Sequence, residues 1–500
     1  MRGKILATLW GVTATAVMGA GGSLAGASVP PTGTSSAPPT STAGWAGQTA
    51  PVVYLPQTTA ALDAIGATPW RQLGWDGLGV VVAVVETGFA GWDGAARDGL
   101  VPVAPAGDQR SGDIDRCDRG LADRSHGTES AAVIHHVAPK AELIRVCVDD
   151  AADLAAATSA LIERGDVDIV NMALGFYNGG PGDGSGETAS PDDSARRAIA
   201  AGMVWVNAAG NEAQRHHRAL FTDADADGMH EFAMGDELGR FTVPPGAEVE
   251  IFLRWSQWDG GMPTDSFRLC LTVSESDPLD CVVAAQPERA TPTTGLALTN
   301  PRSTPVSFSL GVMRVRGTGM PRLDLFFTEA NGWEFPDAAA SLVEPAAVDG
   351  VLSVGAACSG GRVIHPAGSQ GPTLDGRTGV SLVGPAGTVA ELAAPGFDCR
   401  RAAGATAVAA PYVSGAVALL AEAFPDFNGA QLRAELLARA EASSDPGAPG
   451  ADPIFGSGMV ALGAAPPLPA WPALPAPGPP LGASGAGTAP NPEPCWRPWT

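Results

Sequence analysis

Lysine is almost missing from this chain. Lys4 and Lys140 are the two present, so Schiff-base chemistry or a lysine general base has almost no residue to run on. Positive charge of either kind is scarce, with 30 Lys and Arg against 53 Asp and Glu and a formal net charge of −23. Such a field repels phosphate backbones and anionic lipid, which argues against a nucleic-acid or membrane-surface partner. Beyond the N-terminal segment no apolar run is long enough to cross a bilayer. Phosphate-binding glycine patterns are missing as well. Gly77-Leu78-Gly79 precedes a strand instead of following one, and the glycine-rich stretch from Gly175 to Gly186 lacks the Lys and Ser/Thr of a P-loop.

What is present is enough apolar residue, 45% of 500 positions, for one large core and a second unit. Residues 1–27 carry Arg2 and Lys4, then the apolar run ILATLWGVTATAVMGA, then Ala25-Gly26-Ala27, which together predict a secretory signal peptide and an exported protein, extracellular or periplasmic. Residues 28–50 are rich in Pro, Ser, Thr, Gly and Ala and read as a flexible linker. Seven cysteines in an exported chain predict disulfides. Proximity in sequence suggests Cys117 with Cys147, Cys270 with Cys281 and Cys358 with Cys399, leaving Cys495 over.

Four stretches carry chemistry. Residues 404–415 read GATAVAAPYVSG, a small-residue turn feeding a helix whose first turn is expected to hold Pro411. Backbone N–H groups at such a helix start can hold an oxyanion. The β-branched run LGVVVAVVETG, residues 78–88, reads as a buried parallel strand ending at Glu86. Ser125-His126-Gly127-Thr128 opens a helical segment, and MVWVNAAGN reads as a strand ending at Asn211. Between them, VDIVNM breaks into Ala173-Leu174-Gly175.

These stretches, in this order, resemble the subtilisin-like serine peptidases (subtilases), whose motifs take the forms VAVIDTG, HGT, SLG, AAAGN and GTSMAAPHVAG. Gly368 to Arg377 is similar to the family's SSRGPTxDGR loop, and FGSGMVALGAA to its closing segment. The resemblance implies an α/β fold, a doubly wound, mostly parallel sheet in an α/β/α sandwich. It assigns His126 to the general base and Asn211 to the oxyanion hole, with the backbone N–H of Ala407 as the second donor. Ala173, Leu174 and Gly175 become the edge that pairs with a substrate backbone. It puts Glu86 where the family has aspartate and Ala407 where it has the nucleophilic serine. Glu86 is one methylene longer, enough by itself to displace an imidazole by about an ångström. A neighbouring hydroxyl, Thr406, points elsewhere at a sharp turn, and Cys399 is better read as a disulfide half. The family usually carries a folded propeptide, for which too few residues precede the first strand.

Between the two blocks of resemblance the texture changes. Val249, Ile251, Leu253 and Trp255 alternate with Glu248, Glu250, Phe252 and Arg254, and similar runs at 267–273 and 306–312 predict half-buried antiparallel strands. An all-β sandwich inserted at 219–345 follows, between subtilase segments 51–218 and 346–465, with a Pro/Ala/Gly-rich tail at 466–500. Asp223, Asp225, Asp227 and Glu231 have the acidic spacing of a calcium loop, although its twelfth position is Met234. No cofactor is required by this chemistry, and calcium is the one ion the sequence offers a place to. The functional expectation is a secreted subtilase-fold pseudoprotease that binds a peptide or protein ligand without cutting it. An active serine endopeptidase, and a binding protein working through the β-sandwich, are the alternatives.

Overall fold

The computed structural model describes residues 6–9, 12–16, 59–102, 125–273, 280–282, 291–358, 362–402, 404–443 and 446–468. Every residue of β3 (Val81–Glu86) is buried, and its side chains divide by parity. Val82 and Val84 enter one apolar cluster, while Val81, Ala83 and Val85 enter another. A strand buried on both faces belongs inside a parallel sheet with helices on either side, and that is where β3 lies. Its sheet joins β4 (Glu142–Cys147), β5 (Ile169–Met172), β6 (Val204–Ala208), β15 (Leu352–Ala357) and β16 (Leu382–Pro385) in the order β16-β15-β6-β5-β3-β4, with every pairing parallel. Helices His126–Val137 and Ala405–Ala423 cover one face through Ala131, Ile134, Val413 and Val417. Helices Ala151–Arg164 and Pro191–Ala200 cover the other through Leu154, Leu161, Ala195 and Ala198. Asp150 and Ser190 cap this second pair, each accepting a backbone N–H three residues on.

The helix Ala405–Ala423 departs from expectation in two ways. It begins at Ala405, so Pro411 sits in its second turn and not its first. The missing N–H leaves the carbonyl of Ala407 without its i+4 donor, a cost the buried packing of the helix offsets. The helix is also long and apolar enough to cross a membrane, contrary to the reading that no such stretch follows the N-terminus. Most of it is buried inside the protein, which accounts for its composition.

The inserted region is two antiparallel sheets. One takes the order β1-β2-β12-β9-β14-β7, from Leu6–Leu9 (β1), Val12–Ala16 (β2), His216–Leu220 (β7), Glu248–Trp255 (β9), Thr293–Thr299 (β12) and Arg322–Phe327 (β14). Its first two strands come from the apolar run of the expected leader. The other sheet takes the order β11-β10-β13-β8, from Gly239–Val243 (β8), Ser266–Thr272 (β10), Asp280–Val282 (β11) and Val306–Arg316 (β13). Phe241, Ile251, Trp255, Phe267, Leu310 and Leu325 meet between them. The alternation in β9 predicted an outward face at Phe252 and Arg254, yet both are buried. That face lies against the parallel-sheet body: Phe252 stacks on Tyr177 at 5.0 Å, and Arg254 Nη1 donates to Glu344 Oε1 at 2.9 Å.

Cys358 and Cys399 form a disulfide, as their proximity suggested. Cys147 and Cys270 are disulfide-bonded too, and Cys270 stands opposite Cys281 in the β10–β11 ladder. Cys117 and Cys495 lie outside the described residues.

Candidate active site

The parallel sheet brings its strand ends to one edge, and two helices begin there. β3 ends on Glu86, whose carboxylate is completely buried. The helix that opens at His126 comes within backbone contact of the segment after β3: Gly127 N–H donates to Gly88 O at 3.0 Å. A Cβ at Gly127 would lie 2.5 Å from that oxygen and 2.6 Å from the Phe89 ring, so only glycine permits the approach. The approach places His126 Nδ1 2.9 Å from Glu86 Oε2. The extra methylene of glutamate therefore does not break the carboxylate–imidazole contact. Ser130, one turn further along the same helix, donates to Glu86 Oε1 at 3.0 Å and holds the longer side chain in place. With Nδ1 turned to the carboxylate, Nε2 is left to the cleft; 38% of the side chain is exposed.

The electrostatics follow. The Glu86 carboxylate drives the imidazole pKa up to about 9, against burial, which pulls it down; hydrogen bonding to Glu86 and the charge of Glu129 push the same way as the carboxylate. With its pKa raised to about 9, His126 is held protonated at neutral pH and is not a free base there.

The other side of the edge is built on the loop after β6 and on the head of the Ala405–Ala423 helix. Ala405 has φ of 37°, in the left-handed region, where the motif GTSMAAP has its first glycine. Thr406 is fully buried. Its N–H and its hydroxyl both reach Asn211 Oδ1, at 3.1 and 2.9 Å, and the hydroxyl is also 3.0 Å from Gly210 O. Because a backbone N–H can only donate, the oxygen of the Asn211 amide is the atom facing Thr406, and Nδ2 is turned away from it. Ala407 follows, 7% exposed, with a methyl group where the motif has a hydroxymethyl. Its N–H donates to Gly404 O at 2.9 Å. The second oxyanion donor expected from the sequence is thus engaged in the turn, which leaves Asn211 Nδ2 as the donor available to a docked carbonyl.

The edge Ala173-Leu174-Gly175 continues β5 into the cleft. It is followed by a two-way pairing of Phe176 with Glu344, N–H to O at 2.9 and 3.0 Å. Val343 fills the slot between this edge and the oxyanion loop. A Cβ at Gly175 would lie 2.3 Å from one Val343 methyl, and a Cβ at Gly210 2.8 Å from the other. Tyr177 and Glu212 brace the same two loops: the phenol donates to Glu212 Oε1 at 2.7 Å, and Glu212 Oε2 lies 3.3 Å from Arg215. Burial raises the pKa of Glu212. Ser130, Thr406, Val343 and the Tyr177–Glu212 pair are contributors the sequence reading passed over. For Ser130 a signal existed, since its i+4 spacing from His126 puts both side chains on one helix face.

Residues 77–229 and 302–458, more than half of the chain, match the family model described as the Subtilase family. The chain belongs to the subtilase family. Among solved structures, this subtilase is similar to the CspB protease of Clostridium perfringens, with 15% identity and a TM-score of 0.52 over 81% of this chain and 98% of that one. It is also similar to a lanthipeptide protease (15% identity, 80% and 92% covered, TM-score 0.42) and to MycP1 with its N-terminal propeptide removed (19%, 80% and 94%, 0.40). No curated protein matches significantly. The likeness to CspB, at 15% identity, shows the subtilisin-like fold alone, and a family of proteases implies peptides or proteins as substrates. The acidic residues singled out in the sequence lie at the start of the insert. There Asp223, Asp225 and Asp227 come together, while Glu231 Oε1 accepts the N–H of Ala224 instead of joining them.

Proposed function

We propose that this subtilase is an exported pseudoprotease whose cleft binds extended peptides without cutting them. Ala407 carries the reading. In the family mechanism a serine attacks the carbonyl, histidine accepts its proton, and an acid orients the histidine. Here Glu86, His126 and Asn211 supply orientation, base position and oxyanion donor, but Ala407 has no side-chain oxygen, and the hydroxyl of the adjacent Thr406 is spent on Asn211 and Gly210. Peptide docking draws on backbone pairing along Ala173–Gly175 and on Asn211 Nδ2.

The test is hydrolysis of a mixed peptide library by the purified protein, beside Ala407→Ser and the pair Ala407→Ser with Glu86→Asp. Turnover is expected in the serine variants alone, because in the family member subtilisin loss of the nucleophile costs roughly a millionfold. Turnover above background by the unmodified chain would overturn the reading. Capture of library peptides by the unmodified chain, weakened in Leu174→Pro, is the expected sign of docking on the edge; no capture would remove the binding half of the proposal. Export is checked by the N-terminus of protein recovered outside the cytoplasm, expected at Ser28, a cut that removes the two edge strands β1 and β2 and leaves β12 at the edge of that sheet.

A further inference from the structure

The segment that enters the insert, from Phe221 to Glu231, is pinned to β13 by backbone bonds. Arg314 N–H donates to Gly228 O at 2.8 Å, and His230 N–H to Val312 O at 2.9 Å. The side chain of Asp223 is 5% exposed. Its Oδ2 is fully used, accepting from Gly228 N–H at 3.2 Å and from Arg314 Nη2 at 3.0 Å. Its Oδ1 is buried and has no hydrogen-bond partner. A buried carboxylate oxygen left bare is costly, and native structures almost always give one a donor or a cation. Asp223 shares the loop with the exposed carboxylates of Asp225 and Asp227, and one oxygen from each of the three aspartates lies within 4.8 Å of the others.

Calcium accepts irregular shells of oxygen ligands at 2.3–2.6 Å, whereas magnesium demands near-ideal octahedral geometry at 2.0–2.1 Å, which a surface loop offering three carboxylates does not impose. The donor set is all oxygen, which selects a hard cation over zinc or copper. Arg314 neutralises one of the three aspartates. Glu237 shows what remains: after burial, the negative charges of Asp227, Asp225, Glu231 and Asp223 push its pKa up. Gly228, at φ of 92°, makes the turn that an alternating Asp-x-Asp-x-Asp-Gly loop requires at its sixth position.

We propose that the loop is a calcium site of the insert, with Asp223 Oδ1, Asp225 and Asp227 as its carboxylate ligands. Its twelfth position, Met234, is almost fully exposed and closes no ligand shell, so the site belongs to the weak class, with Kd on the order of 10⁻⁴ to 10⁻³ M. Occupancy ties the chain that leaves the oxyanion loop to β13 and so stabilises the insert.

The experiment is calorimetric titration of calcium chloride into the chelator-treated full chain, with thermal melts at zero and about 10 mM calcium. One saturable site and a raised Tm are expected for the unmodified protein. The pair Asp225→Asn with Asp227→Asn should keep the calcium-free Tm, because both side chains are exposed, and lose the binding and the shift. No saturable heat up to about 10 mM, or equal binding by the double variant, would overturn the proposal. Magnesium binding as tight as calcium would overturn the assignment of the ion.

Discussion

On the base side of the cleft both oxygens of Glu86 have partners, His126 and Ser130, whereas on the nucleophile side the polar atoms that remain, Thr406 and Asn211, bind each other. The difference follows from what each side would cost to dismantle. Glu86 is a fully buried carboxylate. Removing its partner would leave an uncompensated charge, which is among the more destabilising single changes a core can suffer. A hydroxymethyl at position 407, exchanged for a methyl at the mouth of a helix, leaves nothing stranded. Persistence of the acid–histidine pair is therefore an expectation of stability, and it says little about catalysis.

The comparison can be broken first by restoring the missing atom. In the Ala407→Ser variant the base side should limit the rate, since His126 is about 1% unprotonated at pH 7 and half at pH 9 with its pKa at about 9. Hydrolysis by that variant is expected to rise about fiftyfold between those pH values; a flat profile would show that His126 is not the base. The same titration acts on stability. A folded-state pKa above the ordinary 6.5 means that the ion pair contributes in full below about pH 6.5 and is lost as the pH rises through about 9. Melts of Glu86→Gln beside the unmodified chain should diverge least at the alkaline end.

On the nucleophile side, Thr406→Val removes the bonds to Gly210 and Asn211 and strands acceptors in a buried place, with an expected loss of about 2 kcal/mol by denaturant titration. Peptide capture should fall with it in part, because the Asn211 oxygen then keeps only the backbone N–H of residue 406 to hold it. The smallest effect is the most diagnostic of the turn itself. Ala405→Gly should stabilise by up to about 1 kcal/mol, since the left-handed backbone there taxes a Cβ.

Much of this was legible in the sequence because it was local. The run from Val80 to Glu86, the turn at Gly127 and the order of the motifs each need only neighbours to be read. The fate of the Ala407 N–H was not legible, because it depends on whether a turn closes at Gly404. Nor was the accommodation of Glu86, which needs Ser130 at the right height on a helix defined only by its packing. Phe252 and Arg254 misled the reading for a related reason. An alternation of period two reports which residues share a face of a sheet, but not whether a second layer covers the other face.

That covered face has a consequence for how the protein comes apart. Arg254 is 2% exposed and is shared between Asp324, on the insert, and Glu344, in the segment that returns to the body. Cut out of the chain at the end of its last strand, Phe327, the insert would carry a guanidinium without the Glu344 carboxylate and the bare rings of Phe252 and Phe326. Body and insert are therefore expected to unfold together, with a single transition in the heat-capacity trace; two separated transitions would break the comparison. A domain with its own topology need not be a module that evolution, or an experimenter, can lift out whole.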